Sequence, residues 1–402
     1  MIDELLGFLL FLFLLAVIVK QDFVFTILYL FIGAFLFGNY WTRRAITSVS
    51  FHRTFPSRVF LSEEIPIHLE VKNESVLPLI WLRIHESLPV DLSIRRTFRR
   101  VVSLGPHGKS EFDYMLLARK RGYYLIGPVF AYTGDFLGLV ADRQREGGSD
   151  FLTVYPKIIP LTGLKIPSQS PMGTLRHNQP IFEDPSRVLS KRDYTVGDSL
   201  RRVDWKASAT LGRLQVKQFE PSIALETAIF LNMHKDDYDI RTRFDIAELA
   251  IVVAASLANW IIDKKQSTGL YTNGFDPLID GVIHDASTML MEPISPRKGG
   301  GHLMRILDHL ARVQIGDALP MVELLRRSYV HLSWGTTLLL ITSQVSEDLF
   351  DQLFQVQRAG LNLVLIKVGQ DARTREIQQK AYLFNIPFYS ITKERDLDIW
   401  RR

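Results

Sequence analysis

The sequence contains no cysteine, and this absence removes several kinds of chemistry together. No disulfide can staple the chain, no thiolate can hold a metal, and no cysteine can act as a nucleophile. The compartment stays open, because a disulfide-free chain is tolerated on either side of a membrane. Polar side chains are missing from a second place, the fifteen residues Leu5 to Val19. Basic residues are missing ahead of that run, where Asp3 and Glu4 make the start acidic, whereas a cleaved secretory signal begins basic.

Complete catalytic signatures are lacking too. Gly197-Asp198-Ser199-Leu200 spells the nucleophile motif of a lipase and esterase family, but no buried apolar strand precedes it and no Asp-x-x-His pair follows. Asp198 or Ser199 as a helix N-cap accounts for the same letters. Gly105 to Ser110 ends in Gly-Lys-Ser like a phosphate-binding loop, yet Ser103 stands where its first glycine belongs, and the flanking residues alternate like strands. That segment reads as a hairpin turn.

What is present begins with two apolar segments. Leu5–Val19 and the nineteen residues from Phe23 to Trp41 would be roughly 22 and 28 Å long as helices, against about 30 Å of bilayer hydrocarbon. They read as a transmembrane hairpin over residues 1–44, with Lys20 at its tip and Tyr40 and Trp41 at the interface. Arg43, Arg44, Arg53 and Arg58 follow the second span, so the positive-inside rule places both termini and the soluble bulk in the cytoplasm. The lipid bilayer is the first expected partner.

Residues 45–160 alternate with period two. Ile65, Ile67, Leu69 and Val71 form one such row, Ile80, Leu82 and Ile84 a second, Phe112, Tyr114 and Leu116 a third. Short alternating strands at this spacing predict a β-sandwich of immunoglobulin-like size. Arg95, Arg96, Arg99, Arg100 and Arg119-Lys120-Arg121 form basic clusters, which fit the net charge of +5. No nucleic-acid motif accompanies them, so they read as a solvated sheet face near anionic headgroups. Residues 161–220 read as an irregular arm leading into a dense motif. Residues 221–402 alternate buried strands and helices, which predicts a parallel sheet with helices on both faces.

The densest stretch runs Arg192-Asp193-Tyr194-Thr195-Val196-Gly197-Asp198, then Arg201-Arg202-Val203-Asp204-Trp205-Lys206, and on to Phe219-Glu220. It resembles the core of the membrane proteins grouped as domain of unknown function 58, patterned Arg-x-Tyr-x-x-Gly-Asp and then Arg-x-Ile-Asp-Trp. Lys120-Arg121-Gly122-Tyr123, Gly127-Pro128 and Gly134-Asp135-Phe136-Leu137-Gly138-Leu139 resemble the same family's upstream signature.

The resemblance implies a von Willebrand factor A-like C-terminal domain and an association with MoxR-type AAA ATPases. On this reading Trp205 and Tyr194 are buried anchors, and Arg192, Asp198, Arg201 and Asp204 are paired charges that tie the arm down. The von Willebrand metal motif, Asp-x-Ser-x-Ser, is degenerate: Asn232, His234 and Asp236 occupy its places, and Ser343 follows a later strand where an aspartate is usual. A hard-cation site of the usual kind is not expected, nor any cofactor. The expectation is a non-catalytic, membrane-tethered scaffold with a cytoplasmic protein partner. The alternative is a hydrolase centred on Gly197–Lys206.

Overall fold

The structure is a computed structural model that describes residues 2–19, 22–92, 97–136, 138–140, 142–162, 183–221, 226–279, 282–283, 291–317 and 319–400. Lys20, Arg95, Arg96, Leu137, Leu225 and most of the segment between Leu161 and Glu183 lie outside the described residues. The chain divides into two units, residues 1–156 and 157–402.

The first unit opens with helices α1 (Ile2–Val19) and α2 (Asp22–Thr47). Large apolar side chains stand exposed along both, among them Leu10, Phe11, Ile18, Phe23, Leu30 and Leu36. The boundary expected after residue 44 is not a break. Helix α2 runs on to Thr47, and Ala45, Ile46 and Val49 are buried among Leu69, Leu82, Ile84 and Ala131. These apolar residues would be left in water if the helix stopped earlier, so the sandwich core holds its last turn in place.

Ten strands follow: β1 (Val49–Thr54), β2 (Arg58–Phe60), β3 (Glu64–Asn73), β4 (Leu79–Ser87), β5 (Thr97–Leu104), β6 (Lys109–Leu117), β7 (Gly122–Ile126), β8 (Val129–Thr133), β9 (Arg143–Glu146) and β10 (Asp150–Tyr155). They pair as β1-β3-β6, β2-β10-β7 and β5-β4-β8-β9. The period-two row of β3 behaves as alternation requires, with Ile65, Ile67, Leu69 and Val71 all buried. In β4 the expected row is corrected at one position: Ile80 is exposed and Leu79 is buried instead. A register shift between Leu79 and Leu82 against β5 inserts the extra residue and turns the chain over. Arg99 and Arg100 stand exposed on β5.

A buried charged group crosses this core. Arg53 of β1 lies 2.6 Å from Glu86 of β4 and 2.5 Å from Asp150, and the Tyr114 hydroxyl donates to Glu86. Burial and the Glu86 charge together push the Tyr114 phenol well above its ordinary range, so it stays a donor.

In the second unit an antiparallel hairpin, β11 (Glu183–Asp193) and β12 (Gln215–Pro221), brackets the short helix α3 (Trp205–Leu211). Beyond it come β13 (Glu226–Leu231), α4 (Arg243–Asp263), β14 (Ser267–Thr272), a small hairpin β15 (Leu278–Ile279) and β16 (Val282–Ile283), β17 (Ile294–Arg297), α5 (Gly300–Arg312), α6 (Met321–Ser328), β18 (Thr337–Thr342), α7 (Glu347–Arg358), β19 (Asn362–Val368), α8 (Thr374–Leu383) and β20 (Phe388–Ile391). The sheet order is β17-β14-β13-β18-β19-β20, parallel throughout except for the edge strand β17.

The central strands carry apolar residues on both faces, because each face is covered. Phe230, Leu338, Leu340 and Leu365 pack with Leu325, Leu353 and Ile377 of α6, α7 and α8, and α4 covers the other face. Among the described residues, α2 and α4 are long and apolar enough to cross a membrane. For α4 the most apolar stretch is 72% buried inside the unit, against 11% for α2, so α4 is a core helix.

Candidate functional site

The family-like motif occupies the end of the β11–β12 hairpin. The ladder continues past β11 through the Tyr194 amide, which donates to the Leu214 carbonyl at 2.9 Å. The chain then turns: the Asp198 amide donates to the Thr195 carbonyl, and Gly197 sits at φ +110° with open space around it. Glycine is required there by conformation, since other L residues rarely adopt that backbone angle.

Asp198 locks the turn. Its two carboxylate oxygens accept from both terminal nitrogens of Arg192 at 2.7 and 2.6 Å, in the two-pronged geometry that favours arginine. The Thr195 amide and hydroxyl also donate to Asp198, each at 2.9 Å. Arg192 and these donors hold the Asp198 carboxyl well below the usual carboxylate range.

Asp204 makes the second tie. It caps α3, accepting from the Ala207 amide at 3.1 Å, while its other oxygen lies 2.8 Å from the Lys191 ammonium. Lys191 first, and then the Ala207 amide, lower its pKa. Ser208 closes the fold of the tip: its hydroxyl donates to the Asp204 carbonyl and accepts from the Gln215 amide. Val203 and Val216 are buried across an isolated bridge. The helix-cap role expected of Asp198 or Ser199 therefore falls to Asp204, because Asp198 is engaged behind the turn and Ser199 makes no side-chain cap bond.

The anchor role expected of Trp205 is corrected. Trp205 is 65% exposed, at the first position of α3, where the Asp204 cap directs its neighbours inward and leaves the indole outside. Tyr194 is half-buried. Val196 is wholly exposed and Leu200 is 60% exposed on the same tip. Arg201 and Lys206 are exposed as well, and no described carboxylate pairs with Arg201, so the expected four-charge network reduces to Arg192–Asp198 and Lys191–Asp204. Chemically this is an apolar surface with a basic margin, carried on a turn held by two ion pairs. Residues 183–221 contain no histidine to act as a base for Ser199.

The C-terminal ends of the parallel strands form a second cluster. The chain leaves β13 toward β14 on one side and returns to β18 on the other, so β13 and β18 flank the point where ligand clefts form in open α/β sheets. Asn232, fully buried just beyond β13, spans it. Its amide nitrogen donates to Asp237 at 2.7 Å and to Thr342 at 2.9 Å, and its carbonyl accepts from the His234 amide and from Asn273. Two donors and two acceptor sites are all an asparagine side chain offers.

A hard cation therefore does not fit at Asn232, since no oxygen lone pair is left to bind it. Ser343 is buried, but Thr342 makes the contact to Asn232. Thr342 adjoins Ser343 in the expected second ligand loop, whereas nothing in the local sequence marks Asn273, which stands just beyond β14 and donates to Asn232. His234 and Asp236 do come together, with Asp317 as the third member and their ligand atoms within 4.8 Å of one another. The Lys235 ammonium pairs with Asp317 and competes with any cation there.

The family described as "Protein of unknown function DUF58" matches residues 190–377. A curated relative, the uncharacterized protein YeaD of Bacillus subtilis (strain 168), is 24% identical over 317 residues, covering 77% of this chain and 74% of that one. Among solved structures, a von Willebrand factor type A protein from Catenulispora acidiphila aligns with 46% of this chain and 42% of its own, at 10% identity and TM-score 0.30. A CARDB domain from Pyrococcus furiosus, solved with di-metal ions, aligns with 26% of this chain and 91% of its own, at 15% identity and TM-score 0.21.

Proposed function

We propose that this protein is a non-catalytic adaptor, tethered to the membrane by α1 and α2, which holds the tip of the β11–β12 arm toward a cytoplasmic protein partner, a MoxR-type AAA ATPase. The observation that carries the reading is the exposure of Trp205 on a turn that Arg192–Asp198 and Lys191–Asp204 tie in place. An indole exposed on a preorganised support suits a contact: tryptophan and arginine are enriched where partners bind most strongly, and a support already ordered loses little entropy on docking.

The membrane part of the reading rests on exposure. Helices α1 and α2 display large apolar side chains that water would not tolerate in such numbers, whereas α4 hides its own inside the fold. The von Willebrand A-like unit serves on this reading as a platform, with Asn232 as a structural hub in place of a metal ligand.

The test is a photo-cross-linking amino acid placed at position 205 of the full chain in intact cells, with the same group at exposed Ile240 for comparison. The expected result is an adduct with the cell's MoxR-type ATPase from position 205 and none from position 240. No adduct at 205, or equal adducts at both, would reject the proposed contact.

A further inference from the structure

We propose that a crevice between the C-terminal half of α2 and one edge of the β-sandwich takes a single acyl chain of a bilayer glycerophospholipid; this rests on reading α1 and α2 as membrane-inserted. The crevice has a volume of about 320 Å³, within the range of small-molecule sites. Its walls are chiefly apolar: Ala34, Phe37 and Trp41 from the helix, Leu79, Ile80 and Phe136 from the sandwich.

The two walls are held apart and in register by polar clamps. The Trp41 indole donates to the Pro78 carbonyl at 3.0 Å, and Arg143 donates to the Asn39 side chain at 2.6 Å. Gly38 permits the closest approach, since a Cβ there would stand 3.2 Å from the Cβ of Asp135. Asp135 is itself fixed, accepting from the Leu139 and Val140 amides. A crevice framed this way does not close by collapse of a side chain.

Three features select a phospholipid chain as occupant. Leu30, exposed one turn ahead of Ala34 on the same face of α2, carries the apolar lining on toward the bilayer. Phe136, 77% exposed, extends the same apolar surface from the sandwich side. The third feature is Thr42, which lines the crevice, is 1% exposed and has a hydroxyl with no hydrogen-bond partner among the described residues.

A threonine inside a helix ordinarily bonds back to the carbonyl four residues earlier, so this hydroxyl is left over for a ligand. It lies beside Tyr40 and Trp41, aromatics of the kind that mark the interfacial level of a bilayer, where glycerol-ester carbonyls also lie. An ester carbonyl at Thr42 lets the chain run toward Ala34, eight residues or about 12 Å along the helix.

The experiment uses the full chain in vesicles of phosphatidylethanolamine and phosphatidylglycerol doped with a phosphatidylcholine that carries a diazirine within one acyl chain. Irradiation and peptide mapping should find label on residues 78–80 or 133–136 as well as on the lipid-facing helices. Ala34→Trp, which plugs the crevice, should lower that sandwich label about tenfold, as expected when two methylenes lose their burial, and leave the label on α1 unchanged. Thr42→Val, which keeps shape and removes the hydroxyl, should lower it roughly fivefold.

Label confined to α1 and α2 would overturn the site while leaving membrane insertion standing. Equal sandwich label in wild type and both variants would overturn it too, since it would mean only that the sandwich grazes the bilayer. Absence of label together with release of the protein by alkaline carbonate would reject both the site and the membrane reading.

Discussion

Trp205 stands at the first position of α3 with its indole 65% exposed. Its neighbours Asp204 and Ser208 turn inward to cap and brace α3, and that arrangement leaves the indole in solvent. A buried tryptophan replaced by alanine would cost about 3–5 kcal/mol. An exposed one behaves as a surface residue, and Trp205→Ala is expected to change unfolding free energy by no more than about 0.5 kcal/mol. Thermal unfolding of the purified variant checks this.

Asp198 makes the opposite kind of prediction. Its folded-state pKa is depressed by Arg192 and the Thr195 donors, so the ionised form is the stabilising one. That contribution is complete above the ordinary aspartate value of about 3.9 and is lost as the pH falls through the folded-state value. Hydrogen-exchange protection of residues 192–204, corrected for intrinsic rates, should therefore fall in acid. Asp198→Asn should show weaker protection already at neutral pH and a flatter acid response.

The motif as a set was legible because its letters are dense. The side of the fold each letter faces was not, since an arm with little core of its own carries no periodicity to read.

Among the elements, legibility followed burial. Thr337–Thr342 is legible in the sequence because a strand covered on both faces is a continuous apolar run. The β17 edge strand was missed, because Ile294-Ser295-Pro296-Arg297 is short, contains proline and is buried chiefly at Ile294. Ile80 was misassigned by a bulge, which no alternation pattern announces.

The Arg53–Glu86 pair in the sandwich was equally invisible, since its partners lie on strands far apart in sequence. Removing Glu86 leaves the buried Arg53 with only the half-exposed Asp150 as a carboxylate partner and takes the acceptor from the Tyr114 hydroxyl, so Glu86→Ala should destabilise the protein by about 3 kcal/mol, whereas Arg53→Met with Glu86→Leu should cost less. Chemical denaturation of the single and double variants measures the difference. Equal losses would show that the sandwich needs shape there rather than the charge pair.

At the scale of the molecule, the sheet-end cluster bears on whether the proposed adaptor depends on a metal. With all four hydrogen-bonding positions of Asn232 engaged, its side chain has no oxygen lone pair left for Mg²⁺, and Lys235 already occupies Asp317 in the neighbouring cluster. Chelation with EDTA or addition of Mg²⁺ is expected to leave the thermal transition of the purified protein unmoved, and a rise in the transition with Mg²⁺ would show that the hub gives way to a metal. On the proposed function, the contact then falls to the arm.

The measurement that tests this most directly is the affinity of the detergent-solubilised full chain for the MoxR-type ATPase of the same cell, for wild type and Trp205→Ala, under nucleotide-free conditions. An indole at the centre of a contact accounts for about 2 kcal/mol or more, so the dissociation constant should rise by more than about tenfold at unchanged thermal stability. Equal affinity of the two proteins, or no binding by the wild type, would contradict the account.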